Sequence, residues 1–346
     1  MSVSPNLILV YGAASMVSGD GLSTGGAPSF STRIGFSDFS TTQVGAWVSS
    51  SSSDTTGVTG TIIGRDSTGA VQLQATTLNG TTPASGAQSW QRLLQGSLAG
   101  TPVGDIAFLS STGVESGTAQ GAANTSGIVA PYLTLQSGGG SGAAVEQIIL
   151  ITNNTPVGVQ GQIRRVVAVS TDTAYVDADW TTTPTSSTTY TLHTGMKFEK
   201  TPNAVSKIVR IFDNCAADAA GGSSRTFYGK AFLTNNSTTT ASTSAGMTIS
   251  GTTPALPASA TLEFGWASGT FNDQATIANR QTFPASVALT SGALPVASGV
   301  PAAGNLPPGT APNTSGALGL WMALALPAGS QPFDGFASIT VSGQST

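Results

Sequence analysis

Apolar residues in this chain come in short runs broken by Gly, Ser, Thr and Pro, and the runs keep the two-residue period of strands. In the first third they fall at 6–11, 33–39, 42–48, 57–65, 70–78, 89–98 and 105–109. The clearest is 70–78, where Val71, Leu73, Ala75 and Thr77 face one side and Gln72, Gln74 and Thr76 the other. It is joined to 57–65 by Asp66-Ser67-Thr68-Gly69, a polar connection ending in Gly that suits a type I turn with a bulge. Asn79-Gly80 supplies the next turn. Short strands with turns about every 8–12 residues predict a β-sandwich over 1–111.

Residues 112–142 hold few strand formers apart from 129–135, and the SGGGSG run at 137–142 reads as a flexible linker. AVEQIILIT at 144–152 predicts a buried strand. A hairpin follows, with arms 162–170 and 173–180 around Thr171-Asp172, and then a strand at 188–193. These suggest a small open barrel or meander over 143–200. Residues 196–236 contain all four lysines (Lys197, Lys200, Lys207, Lys230) and the sole cysteine, Cys215. Two apolar runs there, 205–212 and 226–233, flank a Gly/Ser/Ala loop at 216–224. Runs at 248–250, 260–266, 275–283, 319–326 and 336–342 complete a second sandwich over 201–346. Its loop at 291–314 exceeds the ~12–15 residues usual for a structureless connection and reads as a contact arm, as does 113–127. Only 143–150 is ambiguous between strand and helix. The expected fold is all-β: two sandwiches, Ig-like or jelly-roll-like, with the small β-barrel or meander unit between them.

Charged residues are 8% of the chain against about 25% in ordinary globular proteins. Hydrophobic residues reach 39% and mean hydropathy is +0.13, so the composition predicts a folded chain with Ser and Thr on its exposed strand faces. A net charge of −4 and a pI near 4.8 oppose nucleic-acid binding, which needs a basic stripe. Eight of the twelve cations are Arg164, Arg165, Lys197, Lys200, Lys207, Arg210, Arg225 and Lys230. They read as edge-strand charges that discourage sheet aggregation, or as a docking face for an acidic protein. One cysteine excludes an intrachain disulfide framework. No run approaches the ~18 apolar residues of a membrane span. The apolar core at 7–11 falls short of a secretory segment of about 7–15 residues.

The sequence points to no catalytic, cofactor-binding or metal residue. Gly21-Leu22-Ser23-Thr24-Gly25 matches G-x-S-x-G but lacks the strand before and the helix after that a nucleophile elbow needs. His193 is the only histidine, which excludes the usual His-based zinc sites and leaves it an ordinary strand residue. Asp177 and Asp179, at i and i+2, would share a strand face near Asp172, as calcium ligands can. They read more simply as a solvated hairpin face partly paired with Arg164 and Arg165. Trp47, Trp90, Trp180, Trp266 and Trp321 are spread one per strand region, as core or interface anchors rather than a sugar-binding stripe. Sequons at Asn79, Asn124, Asn153, Asn235, Asn236 and Asn313 follow from Ser/Thr abundance.

Several segments resemble β-rich virion structural proteins of tailed bacteriophages, of the capsid-decoration or minor head type. They are TGTIIGRDSTGAVQLQATTLNGTTPASGAQSWQRLL with Trp90 and Arg92, GQIRRVVAVSTDTAYVDADWTTTPTSSTTYTL, RIFDNCAADAAGGSSRTFYGKAFLTNN, and the closing GLWMALALPAG and ITVSG. The resemblance implies a non-enzymatic virion protein without cofactor, assembled in the host cytoplasm. Its partners would be the major capsid protein and copies of itself, as a trimer or symmetric cluster. The alternative is a tail or head fibre or baseplate protein that binds host surface glycans.

Overall fold

The alternating runs fold as strands, and the chain is all-β. The computed structural model describes residues 8–14, 23–126, 130–200, 204–212, 223–235, 242–253, 256, 259–267, 271–285, 287–291, 293–295, 316–330 and 336–345, and no α-helix occurs among them. The strands gather into two units, one of Met1–Ile34 with Val209–Thr346 and one of Gly35–Ile208. The boundaries expected at 111, 142 and 200 give way to this division. Residues 1–34 leave the N-terminal sandwich because Ile8–Ala13 pairs antiparallel with Arg225–Asn235, from Ile8 opposite Asn235 to Gly12 opposite Ala231.

The Gly35–Ile208 unit holds a sandwich. One layer is ordered Arg92–Ala99, Thr59–Arg65, Val71–Thr77, and the other Gly195–Phe198, Ile106–Ser110, Gln43–Ser49, Ala84–Trp90. Trp47 anchors the core between them, with ring centres 5.2 Å from Phe108 and 5.5 Å from Phe198. The hairpin at Asp66 forms as its residues suggest. One carboxylate oxygen accepts hydrogen bonds from the backbone N–H groups of Thr68 and Ala70 and from the Thr68 hydroxyl, and Gly69 takes φ +83°. Close packing makes Gly60 irreplaceable here: a Cβ at that position would lie 2.3 Å from the Trp47 indole. Gly60→Ala is therefore expected to cost about 1–3 kcal/mol through overpacking. Gly57→Ala, where nothing lies within 4 Å of the added Cβ, stays within about 0.5 kcal/mol in the same urea titration.

The rest of this unit is a seven-stranded antiparallel sheet in the order Glu115–Thr118, Thr189–His193, Ile148–Ile151, Ile163–Ser170, Thr173–Val176, Tyr132–Thr134, Gly121–Ala123. It surrounds one core that includes Leu133, Ile149, Val166, Trp180 and Leu192. The expected hairpin is present, with Ser170 opposite Thr173 and Thr171 at φ +51° in the turn. The expected linker is not. Three of the seven strands come from 112–142, and its glycine run closes as the single 3₁₀ turn Gly139–Ser141. Those strands contain no Val or Ile, and they are held by backbone pairing to Thr189–His193 and Thr173–Val176. Ile148–Ile151 is buried on both sides. Ile149 and Ile151 enter the core of their own sheet, while Ile148 packs with Val48, Ala107 and Leu109 of the sandwich. That two-sided burial explains why the run reads as continuously apolar.

The other unit is built on the strand order Thr261–Trp266, Leu318–Leu326, Arg225–Asn235, Ile8–Ala13, Pro28–Ile34. A separate three-stranded sheet places Ser242–Thr253 between Ala293–Pro295 and Phe336–Ser345. Cys215 and most of the 291–314 arm lie outside the described residues.

Candidate functional site

The densest chemistry in the Gly35–Ile208 unit is an ionic cluster inside it, built around Lys197. In Gly195–Phe198 the alternation sends Met196 and Phe198 into the sandwich core and Lys197 to the opposite side. Its fully buried Nζ lies 2.7 Å from Asp177 Oδ2 and 3.3 Å from Asp105 Oδ2. Arg165 extends the cluster, with Nη1 2.9 Å from Glu146 Oε1 and Nε 3.2 Å from Glu199 Oε1. Its backbone N–H donates to Asp177 Oδ1 at 2.9 Å. Arg164 lies 3.7 Å from Asp105 Oδ2, donates from Nε to the Ala178 carbonyl and stacks 5.1 Å from the Trp180 ring. Four carboxylates thus face three cations, and Asp105 joins the sandwich strands to the seven-stranded sheet.

Burial would raise the Asp177 carboxyl, but Lys197 and Arg165 hold it well below the usual carboxylate range. Burial would likewise lower Lys197, yet Asp177 and Asp105 outweigh it and raise the ammonium. The two signs set a pH window. A depressed carboxyl stabilises the fold above its unfolded value near 3.9, and this is lost as pH falls through the folded value. A raised ammonium stabilises below its unfolded value near 10.4, and this is lost as pH rises through the folded one. Stability of this unit is expected to be level between about pH 7 and 9 and to fall on both sides, in thermal melts followed by fluorescence. The acid limb starts near 6.5, where the unfolded chain protonates His193 before the buried native imidazole does.

The structure corrects the reading of the acidic hairpin as a solvated face. Its three aspartates go to three places. Asp177 is inside the cluster. Asp172 accepts from the Gly138 and Gly140 N–H groups at 3.0 and 2.9 Å, which hold its carboxyl below the ordinary value. Asp179 Oδ1 accepts from the Thr125 N–H and hydroxyl. The edge-charge reading of the lysines is corrected as well, for Lys197 and Lys230. Lys230, in the other unit, is also fully buried. Its Nζ donates to Asp273 Oδ2 at 2.5 Å and to the carbonyls of Asp273 and Ala275 at 3.0 Å each, with the Gly26 carbonyl at 3.3 Å. Phe232 and Trp321 flank it at 5.0 and 5.3 Å. Here burial prevails over Asp273 and lowers the ammonium's pKa. The signal was in the sequence: Lys197 sits in GMKF and Lys230 in FYGKAFL, each a lone charge between apolar neighbours that must go inward.

His193 Nδ1 lies 3.0 Å from the Ser110 backbone carbonyl, while the Ser110 hydroxyl donates to the Thr112 carbonyl. The imidazole, held below its ordinary value by burial, therefore faces no serine hydroxyl at this contact. Of the G-x-S-x-G match, Gly21 and Leu22 lie outside the described residues, and Thr24–Gly25 pairs with Thr276–Ile277 as a short strand. Trp47, Trp90, Trp180 and Trp321 are core residues, each 2% exposed or less. Among the described residues no group of three or more His, Cys, Asp or Glu side chains is arranged to hold a metal ion, and no helix is long and apolar enough to cross a membrane. Comparison of the chain with protein-family models, curated proteins and solved structures finds no match in any of the three.

Proposed function

We propose that the chain is a non-enzymatic structural protein of a tailed-phage virion, a capsid decoration or cement protein that bridges capsid subunits and stabilises the head. The observation that supports this reading is where the charges go. Lys197, Lys230, Arg164, Arg165 and their carboxylates are turned inward as internal ties, while the outer strand faces carry Val, Leu, Ala, Ser and Thr. Such faces can lie flat on a protein neighbour without stranding buried ions. At ~25 cal/mol per Å² of apolar surface, a modest footprint repeated over a shell sums to a large stabilisation. The partners would be the major capsid protein and copies of this chain about a symmetry axis. The glycan-binding alternative loses support from the burial of four of the five tryptophans, which removes them as sugar platforms. The two readings separate on binding: the purified chain should co-sediment with phage shells lacking it and stay silent on a glycan array. The reverse pattern overturns the proposal.

A further inference from the structure

Val71–Thr77 is a sheet edge of unusual character. In its sheet it has one neighbour, Thr59–Arg65, paired without a register shift from Thr59 opposite Thr77 to Arg65 opposite Val71. Natural edges are commonly protected by Lys, Pro, a bulge or brevity. This strand has seven residues, no charge, no proline and no bulge in its pairing. The other edges in the unit differ. Gly195–Phe198 is buried along its whole length, Glu115–Thr118 carries Glu115, and Gly121–Ala123 is three residues long. Ala84–Trp90 gives the Gln88 N–H to the Gln74 side chain at 2.9 Å. The alternation of Val71–Thr77 is also reversed from the usual pattern, with Val71 58% and Leu73 63% exposed and the glutamines turned inward.

The backbone phase of this edge follows from its flanks. The Asp66 N–H donates to the Ala70 carbonyl and the Leu78 N–H to the Val58 carbonyl, so even-numbered positions point their hydrogen-bonding groups at Thr59–Arg65. Val71, Leu73, Ala75 and Thr77 therefore aim their N–H and C=O groups at the open side. An antiparallel copy placed by a twofold axis at Gln74 sets Val71 against Thr77 and Leu73 against Ala75. Each is a pair in the mutually hydrogen-bonded phase, giving about eight backbone bonds. The same operation joins the two exposed apolar rows into one and brings no charge against a like charge.

We propose that this edge is the interface for a second copy of the chain, paired strand to strand about a twofold axis at Gln74. The sequence and phase of the strand are their own complement, the condition for an isologous contact. The contact differs from the trimer expected from sequence and does not depend on a virion role. A dimer could exist in a protein of any function, and a virion protein could lack one.

The test uses the full chain in solution. Sedimentation equilibrium at tens of micromolar should give twice the chain mass, and Leu73→Lys should return it to one. Leu73 is exposed in the single chain, so in samples dilute enough for the parent to be monomeric this change should leave the melting curve unaltered. In a Cys215→Ser background, Gln74→Cys should form a reducible dimer on mild oxidation. The axis would bring the two Cα atoms to about 4.5 Å, within disulfide reach. Gln72→Cys should not, its copy lying about 14 Å away along the strand. A monomeric parent chain overturns the proposal, as does a dimer that survives Leu73→Lys or cross-links equally well from position 72.

Discussion

Lys197→Met lowers the stability of the Gly35–Ile208 unit by about 3–5 kcal/mol, the expected cost of leaving a buried charge without its partner. The methionine fills the aliphatic path of the lysine but withdraws the ammonium from Asp177 and Asp105. The remaining guanidinium groups stand off at 3.9 Å (Arg165 to Asp177) and 3.7 Å (Arg164 to Asp105) and do not replace the ammonium's close contacts. Urea denaturation followed by fluorescence of Trp47, Trp90 and Trp180 measures the loss. Lys197→Met combined with Asp177→Asn should lose clearly less than the two single changes added together, because the second removes the charge that the first exposes. Additive losses would mean that the pair contributes nothing as a pair.

Lys230→Met destabilises the other unit by a smaller amount, about 2–3 kcal/mol. The change leaves the carbonyls of Asp273 and Ala275 and the Asp273 carboxylate without their shared donor. The effect is smaller because burial already disfavours this ammonium, whereas Lys197 is held charged by two carboxylates. The same contrast gives opposite alkaline behaviour. A lowered lysine pKa means that the native state releases its proton first, so this contribution to stability rises with pH up to the unfolded value near 10.4. The raised Lys197 contribution declines only above that value. Fluorescence melts of the Lys230→Met and Lys197→Met variants at pH 8 and 10 separate the two.

Local features were legible in the sequence, and distant ones were not. The hairpins at 66–69 and 171–172 followed from turn residues between alternating arms, all within about twenty residues. The sandwich tryptophans Trp47 and Trp90 followed from their place in such arms. The return of Ile8–Ala13 to Arg225–Asn235 spans more than half the chain and leaves no local mark. The strands at 115–118 and 121–123 were hidden because six of their seven residues are Glu, Ser, Gly or Ala, which carry no strand signal, and their neighbours decide. The ionic cluster was half visible. Arg164 and Arg165 were placed near the aspartates of the opposing arm, but Asp105, Glu146 and Lys197 approach from elsewhere in the sequence, and their convergence turns a surface pairing into an interior one.

In the proposed role, buried ties such as Lys197–Asp177 and Lys230–Asp273 leave uncharged faces to meet neighbouring subunits in a large symmetric particle. Quantitative mass spectrometry of purified particles carrying this chain, referenced to the major capsid protein, tests that most directly. A shell component should be present in hundreds of copies per particle. A few copies, or none in washed particles, would contradict a shell role.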